Sequence, residues 1–167
     1  MKMPKFLVMD VDGTLTDGKI YMSDNGELFK AFNIKDGCGI KDILPQYGIV
    51  PVIITARKSK LLALRCKELR IEELHQGISD KYTTLETIVQ KYTAENHIDY
   101  SLKDVAFIGD DILDLQCMIP IASEGGLVGC PADAVNEVKK ISSFVSSNKG
   151  GEGAVRDFIE WIVRRHQ

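Results

Sequence analysis

Two rhythms of apolar residues alternate along the chain. The first is the short unbroken run: Phe6-Leu7-Val8-Met9, Val50 to Ile54 and Val105 to Ile108, with briefer candidates at Leu74 to Gln76 and Leu127-Val128. Continuous runs of this length predict strands buried on both faces. The second rhythm is helical. Leu62, Cys66 and Leu69 share a stripe within Lys58 to Leu69, and Tyr82, Leu85, Ile88, Val89 and Tyr92 share one within Asp80 to Tyr92. Ala154, Val155, Phe158, Ile159, Ile162 and Val163 form a third stripe, with Trp161 on its apolar side, and Arg164 and Arg165 follow where a helix dipole favours cations. Shorter helices are expected over Gly39 to Gln46, disturbed by Pro45, and over Asp114 to Ile119. Lys19 to Met22 and Glu27 to Phe32 flank an Asn25-Gly26 pair, the signal of a hairpin turn. Asp36-Gly37 reads as a turn, and Gly150, Gly151 and Gly153 as a flexible approach to the last helix.

Strands alternating with helices predict an α/β fold, a Rossmann-like parallel sheet with helices on both faces. With 167 residues and no linker or repeat, one domain over 1–167 is expected, with a small β-hairpin flap at about 19–32. Composition removes several function classes. The longest apolar run, Gly48 to Ala56, falls short of the roughly 18 residues of a membrane span. The apolar start before Asp10 is too short for a secretory signal. A net charge of −3 without a basic cluster argues against nucleic acid as a partner. Cys38, Cys66, Cys117 and Cys130 are widely separated and His75, His97 and His166 scattered, which leaves no thiolate or imidazole metal motif. Reduced cysteines and a cytoplasmic location are the expectation.

In a parallel sheet the site lies beyond the carboxyl ends of the strands. There the sequence places Asp10-Val11-Asp12-Gly13-Thr14, then Thr55-Ala56-Arg57, then Lys81, then Gly109-Asp110-Asp111-Ile112-Leu113-Asp114. Carboxylates brought to one edge repel by roughly 4 kcal/mol per pair at 4 Å and an effective dielectric near 20, so the cluster calls for a cation. Oxygen-only ligands select a hard ion, Mg²⁺ first. Asp-x-Asp gives two carboxylates that can divide nucleophile and proton-transfer work, and a hydroxyl and an ammonium suit a phosphoryl group.

With these four motifs in order, the sequence resembles the haloacid dehalogenase (HAD) superfamily of phosphatases. The stretches DGKIYMSDNGELFKAFNIKDG, ITARKSKL, QGISDK, IGDDILDL and GGEGAVRD resemble its small capless branch that hydrolyses 3-deoxy-D-manno-octulosonate 8-phosphate in lipopolysaccharide sugar biosynthesis. The resemblance implies Asp10 as nucleophile, Asp12 as acid and base, and Thr55 and Lys81 on the phosphoryl oxygens. It implies Mg²⁺ on Asp10, the Asp12 carbonyl and Asp110, with Asp111 and Asp114 orienting metal-bound water and Lys81. Asp12, Arg57 and Arg65 are the candidates for contact with the sugar acid. A sister branch acts on nonulosonate (KDN or N-acetylneuraminate) 9-phosphates. That branch usually has Gly-Glu after the motif threonine, so Arg57 favours the octulosonate branch, while Ala56 departs from both patterns.

Blander readings stand beside these. Thr55 could cap a helix, Lys81 and Arg65 could be surface charges, and Asp110-Asp111 could cap the following helix. A phospho-receiver signalling domain would also gather acids, a threonine and a lysine at one edge, but with its phosphorylated Asp after the third strand. A non-catalytic binding member is a further alternative, disfavoured because every expected catalytic group is present. No segment is long enough to fold as a cap domain, and the hairpin is too small to seal its own site. The resemblance therefore implies a homotetramer in which neighbours cover each active site.

Overall fold

The computed structural model describes residues 2–166. Its centre is a six-stranded parallel sheet built from β1 (Phe6–Met9), β4 (Val50–Thr55), β5 (Glu73–Gln76), β6 (Val105–Ile108), β7 (Leu127–Cys130) and β8 (Phe144–Val145). The strand order is β5-β4-β1-β6-β7-β8, so β1 is central, paired with β4 on one side and β6 on the other. A separate antiparallel hairpin joins β2 (Tyr21–Ser23) to β3 (Gly26–Phe29), with the Tyr21 and Phe29 rings stacked at 4.3 Å. The expected α/β fold and hairpin are both present.

Both sheet faces are covered, which is why the strands read as unbroken apolar runs. Leu7, Met9, Ile53 and Ile108 face one layer, made by α2 (Lys60–Glu68) and α6 (Ala154–Arg164) through Leu62, Cys66, Phe158, Ile159 and Ile162. Phe6, Val8, Val52, Ile54 and Phe107 face the other, made by α3 (Lys81–Asn96), α4 (Leu115–Ser123) and α5 (Asn136–Ile141) through Leu85, Ile88, Cys117, Met118, Ile121 and Val138. Each such side chain, fully buried, contributes about 1.5–3 kcal/mol. Trp161 lies beside Phe144 and Phe158, with the Arg165 guanidinium 4.5 Å from its ring.

The helical path after the hairpin begins earlier than its apolar pattern suggests. α1 (Ile34–Cys38) runs on through a π turn (Gly39–Ile43) and a 3₁₀ turn (Leu44–Tyr47), so Asp36-Gly37 is helical rather than a turn. Asn33 caps it, its side chain accepting from the Lys35 N–H at 2.8 Å. Gly37 serves packing, because a Cβ there would lie 2.4 Å from the Arg65 guanidinium. Asp36 is buried and accepts from the Arg156 backbone N–H at 2.8 Å, tying α1 to the first turn of α6; burial pushes its carboxyl up to about 6. α5 and β8 have no clear signal in the sequence. α5 buries Val138 alone, and β8 is two residues paired to Gly129 and Cys130 at the sheet's edge.

Candidate active site

Asp10 leaves the carboxyl end of the central strand, its backbone N–H donating to the Ile108 carbonyl of β6 at 3.1 Å. The chain then turns sharply. The N–H groups of Thr14, Leu15 and Thr16 all donate to the Val11 carbonyl, and Thr16 Oγ1 accepts from the N–H groups of Gly13 and Gly18. Gly13 sits at φ +96°, and a Cβ on it would lie 2.0 Å from Asp110 Oδ2, so only glycine allows the two loops to meet. From behind, Gly151 donates its N–H to the Thr14 carbonyl at 3.1 Å, and Gly150 packs so tightly that a Cβ would fall 1.9 Å from the Gly13 carbonyl oxygen. Of the three glycines expected as a flexible approach to the last helix, Gly150 and Gly151 are a close-packed backing for this loop, while Gly153 precedes α6.

Lys81 opens α3, one residue after the capping Asp80, and its ammonium enters the interior with 3% of the side chain exposed. It donates to Asp10 Oδ1 at 2.8 Å and to Asp114 Oδ1 at 2.7 Å. Asp114 is committed on both oxygens, because Oδ2 accepts from the backbone N–H groups of Asp110 (2.9 Å) and Asp111 (3.2 Å). Asp111 caps the short 3₁₀ turn Ile112–Asp114. Asp110 Oδ1 accepts from the Thr14 hydroxyl at 2.8 Å. One oxygen of Asp10 and one of Asp110 are thereby left without these partners.

Carboxylate oxygens of Asp10, Asp110 and Asp114 lie within 4.8 Å of one another. Burial, then the nearby Asp10 charge, pushes the Asp110 carboxyl up to about 8. Burial and Asp114 likewise raise Asp10 to about 6, more than Lys81 lowers it. Burial works against the charge on Lys81, but Asp10 and Asp114 outweigh it and hold the ammonium firmly protonated. With all three carboxyls ionised, Lys81 would offset only one of their charges. An all-oxygen set of three clustered carboxyls fits a hard divalent cation, Mg²⁺ in particular.

Asp10, Asp12, Thr55, Ala56, Arg57, Lys81, Asp111, Leu113 and Asp114 line one open cleft, which unites the motifs of four separate loops. Thr55 is buried at the end of β4, and the helix cap it might have supplied is made by Ser59, which accepts from the Leu62 N–H. Arg57 is half-exposed at the rim, with Nε 3.9 Å from Asp12 Oδ2. Arg65 is elsewhere. It packs beneath α1 over the Phe32 ring and pairs with Glu68 at 2.8 Å, outside the cleft lining.

One group at the site is unmarked in the sequence. Lys30, just after β3, donates to Asp12 Oδ1 at 2.5 Å and pairs with Glu27 Oε1 at 3.0 Å. Glu27 in turn accepts from the Ser59 hydroxyl. The hairpin is latched over its own chain's Asp12. A lysine in a polar hairpin has no sequence signal that sets it apart; only the tertiary docking reveals it.

The 3-deoxy-D-manno-octulosonate 8-phosphate phosphatase KdsC of Escherichia coli K12 is 38% identical to this chain over 159 residues, 95% of the chain and 79% of the relative. The chain belongs to the 3-deoxy-D-manno-octulosonate 8-phosphate phosphatase family. The family's Moraxella catarrhalis enzyme, solved with magnesium, phosphate and KDO, superposes with a TM-score of 0.83 at 36% identity, covering 98% of this chain and 87% of that one. The cobalt-bound Haemophilus influenzae phosphatase superposes at 0.82 with 33% identity, covering 97% of this chain and 88% of that one. No protein-family model matches the chain. As a member of this family the chain is a phosphatase, a phosphoric monoester hydrolase of the HAD superfamily. Among the described residues no helix is long and apolar enough to cross a membrane.

Proposed function

We propose that this chain is a Mg²⁺-dependent phosphatase that converts 3-deoxy-D-manno-octulosonate 8-phosphate to the free sugar acid and inorganic phosphate. The observation that carries the reading is Asp10, held by Lys81 at the centre of the sheet's carboxyl edge with Asp110 beside it, in a chain of this family. Lys81 fixes Asp10 Oδ1 and leaves Oδ2 to attack phosphorus, forming an aspartyl-phosphate. Asp12, two residues on and lining the same cleft, protonates the departing sugar oxygen and then takes the proton of the water that hydrolyses the aspartyl-phosphate. Thr55 and Lys81 hold phosphoryl oxygens. Asp10, Asp110 and the Asp12 carbonyl would hold Mg²⁺, which when bound offsets phosphoryl and carboxylate charge. Asp114 keeps Lys81 and the Asp110-Asp111 backbone in place, and Asp111 caps the turn that carries Asp114. Arg57, at the rim and 3.9 Å from Asp12, would meet the acidic end of the sugar.

We read residues 1–167 as one domain with a hairpin flap and no cap domain, working in the cytoplasm as a homotetramer whose neighbours close the open cleft. Exposed Ile20, Met22, Leu28, Phe29 and Ile34 on and beside the hairpin support such packing. The deciding experiment compares kcat/KM for octulosonate 8-phosphate, a nonulosonate 9-phosphate and a hexose 6-phosphate with Mg²⁺, using the Asp10→Asn variant as the blank. Preference for the octulosonate is expected. Preference for the nonulosonate would replace the substrate, and turnover equal to the blank would refute the phosphatase mechanism.

A further inference from the structure

The hairpin latch carries an inference that rests on the role proposed for Asp12 as acid and base. Only 5% of the Lys30 side chain is exposed, although it arises from a surface hairpin, and its ammonium meets two carboxylates, Asp12 Oδ1 at 2.5 Å and Glu27 Oε1 at 3.0 Å. Glu27 is anchored in turn by Ser59, the residue that caps α2, and the Ser59 N–H donates to Gln76 Oε1 of β5 at 2.7 Å. A continuous line of polar contacts therefore runs from the sheet through Ser59 and Glu27 to Lys30 and ends on Asp12. On the far side of the Asp12 carboxylate, Oδ2 faces Arg57 Nε at 3.9 Å, beyond hydrogen-bond distance.

We propose that Lys30 is a positioning residue for Asp12: it ties down one carboxylate oxygen and thereby aims the other at the leaving-group oxygen. The hairpin is then part of the proton-transfer apparatus, not only a cover. An acid held by one fixed hydrogen bond keeps a narrow range of χ angles, and proton transfer depends steeply on such placement. Glu27 does not line the cleft; it acts by holding Lys30.

The leaving group distinguishes this role from a merely structural one. A sugar alkoxide leaves only with a proton supplied, whereas p-nitrophenolate leaves without that help. The test measures kcat/KM, which reports the step up to the aspartyl-phosphate, for Lys30→Met, Lys30→Arg, Glu27→Gln and Asp12→Asn. The substrates are octulosonate 8-phosphate, a hexose 6-phosphate and p-nitrophenyl phosphate. Lys30→Met is expected to lose about tenfold or more on both sugar phosphates and to stay within about threefold on the aryl ester, since acid catalysis is typically worth 10²–10⁴. Lys30→Arg recovers part of the loss, and Glu27→Gln shows the same selectivity more weakly; it carries the test if Lys30→Met fails to fold. Equal loss on all three substrates, or none, overturns the proposal. Loss confined to the octulosonate overturns it too, because Lys30 would then be binding the sugar's carboxylate. If Asp12→Asn itself shows no selectivity for leaving group, the acid role assigned to Asp12 fails, and the proposal falls with it for that distinct reason.

Discussion

Asp110→Asn is expected to make the Mg²⁺-free protein more stable while removing its Mg²⁺ response and its activity. The amide has nearly the shape of the carboxyl, and its oxygen can still accept from the Thr14 hydroxyl, which lies 2.8 Å from Asp110 Oδ1. Its NH₂ group replaces the uncommitted oxygen that lies among the carboxylates of Asp10 and Asp114. What disappears is a buried acid whose proton affinity is raised to about 8 by burial and by Asp10. A carboxylate pair at about 4 Å repels by roughly 4 kcal/mol at an effective dielectric near 20; allowing for partial protonation of Asp110, the relief should be about 2–4 kcal/mol. For a chain of this size that corresponds to a rise in Tm on the order of 5–15 °C. The assay is thermal unfolding at pH 7.5 in EDTA and again in excess Mg²⁺. The parent should gain stability from Mg²⁺ by mass action, about 2.7 kcal/mol at a hundredfold excess over Kd, and the variant should gain none. A lower Tm for the variant in EDTA would refute the electrostatic reasoning, and a preserved Mg²⁺ response would refute the assignment of Asp110 as a ligand.

Two further outcomes concern the same loop. Because Asp110 binds its proton in the metal-free fold up to about pH 8, against an ordinary 3.8, the folded chain holds a proton that the unfolded chain has released. The stability of the metal-free protein should therefore fall as pH rises from about 4 to 8, with Asp10 contributing up to about 6, while Mg²⁺ affinity should rise by about tenfold per pH unit over 6–8. Calorimetry in two buffers of different ionisation enthalpy would show the released proton, and an affinity independent of pH would sink the linkage. Gly150→Ala places a methyl 1.9 Å from the Gly13 carbonyl oxygen, so the metal-side loop must shift. A destabilisation of about 1–3 kcal/mol is expected together with weaker Mg²⁺ binding, read by melts and Mg²⁺ titration; unchanged Mg²⁺ binding would show that the glycine backing does not set the loop.

The sheet was legible because β1, β4 and β6 are buried on both faces and so appear as unbroken runs, and α6 because its six buried positions fall on one stripe. α5 and β8 escaped because one buried valine and two edge residues leave no period to read. α1 was obscured by Asp36-Gly37, a turn-like pair that lies inside the helix and packs against Arg65 and Arg156 from distant segments. Strand ends announced Asp10, Thr55, Lys81 and Asp110 as the place for chemistry, and the structure brings these residues together. Lys30 and the glycine backing remained hidden because both depend on contacts between segments far apart in the chain.

The central position of β1 also governs how the chain must be made. Phe6–Met9 is made before both of its partners, β4, beginning at Val50, and β6, beginning at Val105. During synthesis this fully buried strand keeps both edges open until most of the molecule has followed, the situation in which nascent strands pair with one another and aggregate. Such non-local pairing also makes folding slow. Lys2 and Lys5 precede the strand, and Asp10 and Asp12 follow it at once. Charges flanking an unavoidable apolar strand act as gatekeepers against self-association. The two acids proposed for catalysis therefore also stand where gatekeeper charges act, before there is any site for them to serve.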